Sequence, residues 1–154
     1  TIMHQEFCKI FSKFVEENGI KENEFGLEIT ETAELEDTKK AGESLERLKK
    51  RGIKIALDDF GAGYASLKYI RDLPIDVVKL DRHFTSNISD PSTSRLIKFV
   101  SDVCAELNLE MIGEGIETEK EKNMMIELGC STGQGFLMHM PSFIEDIKKE
   151  NNNG

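Results

Sequence analysis

The sequence predicts an α/β protein, a partial TIM-like (β/α) barrel of about five parallel strands alternating with helices. Two observations predict it. Short apolar runs rich in Ile, Val, Leu and Phe alternate along the chain with segments of helical periodicity, and glycines or capping residues separate them. A closed barrel of this kind takes eight strands and about 250 residues, whereas this chain has 154. The predicted barrel is therefore incomplete, with an unpaired sheet edge.

Each element has its own signal. Phe7, Ile10, Phe11, Phe14 and Val15 recur at helical spacing, and Gly19 follows where a left-handed stop belongs. Phe25 to Thr30 reads as a short buried strand, after which Asp37 or Thr38 caps a helix carrying Ala41, Leu45 and Leu48 as far as Gly52. Ile53 to Leu57 is the second strand. A glycine-bearing turn and a short helical piece ending before Pro74 lead to the third, Asp76 to Asp81. Residues 92 to 107 are helical, with Leu96, Ile97, Val100, Val103, Cys104 and Leu107 as the apolar face, and Leu109 to Gly113 is the fourth strand. Thr118 with Glu121 makes a capping box for a helix through Met125 and Leu128, and a fifth strand is predicted around Gln134 to Leu137. Ser142 and Glu145 would start a last helix, and residues 151–154 read as a disordered tail. Met124, Met125, Met138 and Met140 are expected as core filler, and His4, His83 and His139 as structural residues.

Composition narrows the function. No apolar run approaches the roughly 18 residues of a membrane span, so no membrane contact is expected from this segment. The opening Thr1 to Glu6 lacks the basic and apolar regions of a secretory signal, which predicts a true N-terminus upstream in a longer parent, itself free to be membrane-anchored there. Cys8, Cys104 and Cys130 are odd in number and widely spaced, arguing against disulfides or zinc and for the cytoplasm. A formal charge of −9 without a basic stripe argues against nucleic-acid polymers as partners.

Chemistry collects at the predicted C-terminal strand ends, the face on which parallel α/β proteins place their sites. Glu28 and Glu31 belong to the first strand, Asp58 and Asp59 to the second, Lys79 and Asp81 to the third, Glu114 and Glu117 to the fourth and Gln134 to the fifth. Seven carboxylates on one rim repel one another unless cations neutralise them. All-oxygen donors favour magnesium, manganese or calcium, and two such ions suit a phosphodiester displacement. Acids away from strand ends, such as Glu119 and Glu121, read as solvated helix surface. Gly61 and Gly63 read as a mobile turn beside the site and not as a P-loop, because no Lys-Ser or Lys-Thr follows.

These residues resemble the motifs of the EAL-domain family, bacterial cyclic di-GMP phosphodiesterases. Glu28-Ile29-Thr30-Glu31-Thr32 is similar to the family's Glu-Leu-Thr-Glu-Ser segment, and Asp58-Asp59-Phe60-Gly61-Ala62-Gly63 to its Asp-Asp-Phe-Gly-Thr-Gly loop. Lys79-Leu80-Asp81, Glu114-Gly115-Ile116-Glu117 and Gln134-Gly135-Phe136 resemble the next three motifs. The resemblance makes residues 1–150 the C-terminal portion of a single EAL-type domain. It implies hydrolysis of cyclic di-GMP to linear pGpG by a two-metal mechanism using Mg2+ or Mn2+. It makes Glu28, Asp58 and Asp59 metal ligands, Glu31 an anchor for the loop, Lys79 the holder of the attacking water and Glu114 a ligand or general base. Asp81, Glu117 and Gln134 would complete the water and metal network. The family's Glu-Ala-Leu motif and a strand bearing a metal-binding Asn do not occur in this sequence. The chain alone is therefore expected to be inactive, and a non-catalytic cyclic di-GMP-binding or protein-docking module is the competing reading. Ala62 stands for the usual Thr and Gly113 for an Ala before Glu114. Exposed barrel edges predict self-association.

Overall fold

A computed structural model describes residues 10, 11, 13–15, 17–19, 26–30, 37–62 and 66–142. Glu31, Gly63, His4, Cys8, the helix predicted beyond Ser142 and the tail lie outside the described residues.

The elements run β1 (Gly26–Thr30), α1 (Thr38–Lys49), β2 (Lys54–Phe60), α2 (Ser66–Asp72), β3 (Val77–Leu80), α3 (Arg82–Ser86), α4 (Pro91–Glu106), β4 (Glu110–Gly113), α5 (Glu119–Glu127) and β5 (Thr132–Gly133). All five strands are parallel in the order β1-β2-β3-β4-β5, an open sheet. Helices begin where the sequence supplies caps. Asp37 accepts from Lys40 N, Asp90 from Ser92 N and Thr93 N, and Thr118 and Glu121 form the reciprocal capping box.

Register divides the sheet into two chemically different faces. Ile29, Leu57, Val78 and Met111 stand side by side across β1 to β4, with Leu27 beside Ile55 and Leu80 beside Gly113. This face joins Ala41, Leu45, Leu48, Tyr69, Ile97, Val100 and Met125 in one buried cluster beneath the helices. At Gly113 the Met125 methyl lies 2.5 Å from where a Cβ would stand, so the thioether fills the space that an Ala there would claim.

Four expectations about the elements and their packing change, the first being that Leu96 and Leu107, predicted on the apolar face of α4, are exposed. In the N-terminal helical segment Val15 is buried and Phe11 packs on the core, but Ile10 and Phe14 are exposed. Met138 and Met140 are likewise exposed and not core filler, whereas Met125 is buried. The fifth strand is Thr132–Gly133, ending before Gln134. The chain turns after it because the Gly135 backbone presses on Ile116, a Cβ there falling 2.2 Å from the Ile116 carbonyl oxygen.

Candidate active site

The second sheet face carries the polar residues. Successive strand residues alternate faces, and the register places Glu28 beside Ala56 on β1 and β2, Ala56 beside Val77 on β3, and Lys79 beside Ile112 on β4. Asp58, Glu114 and Gln134, each two residues beyond one of these or its partner Thr132, therefore share the Lys79 face at the C-terminal rim. Backbone pairing continues past the strands and fixes this rim: Glu114 N donates to Leu80 O at 3.2 Å and Gln134 N to Gly113 O at 2.9 Å.

Lys79, buried in β3, ties the rim together. Its Nζ lies 2.8 Å from Asp58 Oδ1, 2.8 Å from Glu114 Oε1 and 2.9 Å from Glu28 Oε1. Burial pulls its pKa down, but the hydrogen bonds to Asp58, Glu114 and Glu28 outweigh it and hold the ammonium above its ordinary value. Gln134 Nε2 donates to Glu114 Oε1 at 2.7 Å, which fixes the carboxylate.

Asp59 reaches the cluster by breaking strand alternation. In a regular strand, neighbours such as Asp58 and Asp59 face opposite sides. Here the register slips between Leu57 and Phe60, with two intervening residues on β2 opposite one on β3, and Asp59 adopts φ 55. This bulge brings an oxygen of Asp58, of Asp59 and of Glu114 mutually within 4.8 Å. Burial and then the charge of Asp58 push the Asp59 carboxyl above its ordinary pKa. Three half-buried carboxylates this close, with oxygen donors only, fit a hard divalent cation. Glu28 joins them through Lys79.

The remaining predicted residues stand around the cluster. Asp81 and Glu117 line a pocket of about 390 Å³ with Asp59, Glu114 and Gln134. The Asp81 carboxylate also accepts from His83 N at 2.8 Å and so caps α3. Arg82, Phe136 and His139 line the same pocket. His139, expected as a structural residue, therefore stands at the rim. Phe136 closes the Gln-Gly-Phe motif, and Arg82 follows directly on Lys-Leu-Asp, an adjacency that was the signal available for it.

An open parallel sheet with an acid cluster on its C-terminal rim defines a barrel-type α/β protein with a site suited to divalent cations. The chain belongs to the EAL domain family, whose profile matches residues 1–141. It is 36% identical over 123 residues to a cyclic di-GMP phosphodiesterase of Pseudomonas aeruginosa, covering 79% of this chain and 21% of that protein. The phosphodiesterase MucR of the same organism, solved as a cyclic di-GMP complex, matches with a TM-score of 0.86 and 30% identity over 95% of this chain and 60% of that one. BlrP1 of Klebsiella pneumoniae, solved with cyclic di-GMP and manganese, matches with a TM-score of 0.79 and 27% identity over 87% of this chain and 34% of that one. The chain thus spans about a fifth of the length of the first curated relatives it matches and is a partial EAL domain. Phosphodiesterases of this family are metal-dependent, and BlrP1 was also solved with calcium. Among the described residues no helix is long and apolar enough to cross a membrane.

Proposed function

We propose that this chain carries the catalytic rim of a cyclic di-GMP phosphodiesterase that forms linear pGpG with Mg2+ or Mn2+. The observation that carries the reading is the convergence of Asp58, Asp59 and Glu114 within 4.8 Å, built by a bulge that a structural strand does not need. Asp58, Asp59, Glu114 and Glu28 would hold the cations, which supply charge neutralisation at the phosphodiester when bound. Water adds to phosphorus, the P–O3′ bond breaks, and the 3′ oxygen takes up a proton, leaving the 5′-phosphate of pGpG. Lys79 orients the attacking water, and Glu114, held by Gln134, accepts a proton or ligates. Asp81 and Glu117 support the surrounding water network. The free thiols of Cys104 and Cys130 suit a reducing, cytoplasmic setting.

The engagement of Glu28, Asp58 and Glu114 by the Lys79 ammonium favours a second reading for the chain alone, in which it binds cyclic di-GMP without turning it over. Calorimetry with cyclic di-GMP and manganese, followed by chromatography for pGpG, tests both. We expect manganese-dependent binding that Asp58→Asn abolishes. Binding without pGpG selects the second reading, and a folded chain that gives no heat with manganese and nucleotide present removes both.

A further inference from the structure

The pocket beside the acid cluster holds a cation that the chemistry above leaves unused. Four carboxylates, Asp59, Asp81, Glu114 and Glu117, line it. A phosphodiester entering such a pocket is repelled unless positive charge meets it. Lys79 does not supply that charge to the substrate, because the three carboxylates of Glu28, Asp58 and Glu114 stand within hydrogen-bond distance of its ammonium and more than neutralise it. Arg82 lines the pocket and is exposed, and among the described residues it forms no ion pair with any of the four acids around it. The root of its side chain is fixed. A Cβ on Gly115, which has φ +66, would fall 2.7 Å from Arg82 Cβ and 3.5 Å from its Cα, so the two backbones are packed without a side chain between them. The placement puts Arg82, whose guanidinium fork matches paired oxygens, on the lining of a pocket otherwise dominated by acids.

We propose that Arg82 positions the substrate by gripping the non-bridging oxygens of a phosphodiester of the cyclic dinucleotide. The inference rests on the proposed function and adds the residue that admits an anion to an acidic pocket. It is tested on the same chain by calorimetry with cyclic di-GMP and manganese, comparing Arg82→Ala, Arg82→Gln and Arg82→Lys. Loss of a charge-assisted pair predicts about ten- to a hundred-fold weaker binding for the Ala and Gln variants, and the slope of log K against log salt should fall by about one. Lys, which keeps the charge but not the fork, should recover part of the affinity. The Ala variant keeps the Cβ that meets Gly115, so its melting temperature should stay unchanged, and the Gln variant keeps the stem as a second control. Equal binding by all four proteins overturns the inference while leaving the proposed function standing. If Lys falls as far as Ala, positive charge at this position does not hold the substrate, and the phosphate assignment is wrong. If the unsubstituted chain does not bind, the proposed function fails and this inference with it.

Discussion

At the scale of single residues, Lys79 decides how the acid cluster survives without a cation. Its ammonium contacts three carboxylates, two of them under 20% exposed, so its removal leaves Asp58 and Glu114 facing each other uncompensated. We expect Lys79→Met to lose roughly 1–3 kcal/mol in urea unfolding without divalent ions, and manganese to restore much of that loss, since binding to the native state alone stabilises it. A loss unaffected by manganese would mean that Lys79 and the ion do not share the site. The thiols behave differently. Burial pushes both Cys104 and Cys130 up to about 11, against about 8.5 in an unfolded chain. Native thiols therefore keep protons that the unfolded chain releases, so their stabilising contribution is full below about pH 8.5 and is lost as pH rises towards about 11. Peptide mapping after iodoacetamide treatment at pH 8 should show both positions protected, with rapid labelling once urea unfolds the chain. Sequence order alone made Asp58, Lys79, Glu114 and Gln134 legible, because strand ends share a rim. It could not show that Asp59 turns to the same side, since alternation predicts the opposite.

At the scale of elements, the caps were readable and the short pieces were not. The Thr118 and Glu121 box stands as expected, with Glu121 accepting from Glu117 N and Thr118 N at 2.9 Å each. Glu121 is thus a working cap and not only solvated surface. Thr118→Ala should cost about 1 kcal/mol, read as a shift of the urea midpoint at unchanged m-value, and no shift would mean that the Glu121 half of the box suffices. The five-residue α3 carries too few residues for a period, so the sequence pattern marks no element between Asp81 and residue 92. The fifth strand was displaced because Gln134 to Leu137 has strand composition, yet Gly135 meets the Ile116 backbone and the chain must turn there. Tertiary approach overrode propensity at that point.

At the scale of the whole molecule, β1 and β5 end the sheet, and among the described residues neither outer edge is paired. Parallel strands with open edges add neighbours readily. Light scattering should show mass rising with concentration, and a strict monomer from micromolar to millimolar would contradict this. Parallel order and incompleteness of the barrel were legible from alternation and length, because a crossover between parallel strands needs a helix and a closed barrel needs more chain. How far the edges are covered was not, since pairing partners are not written in local pattern.

The bulge that turns Asp59 inward has a cost that outlives any chemistry. A non-glycine residue at φ 55 pressed against like charge is a poor choice for heat resistance, and selection for folding alone would replace it. Asp59→Asn, which tolerates that backbone and removes the repulsion, should melt higher than the parent in chelator while losing the melting gain that manganese gives the parent. The acid at this position therefore trades some heat resistance for the ability to share a cation with Asp58 and Glu114.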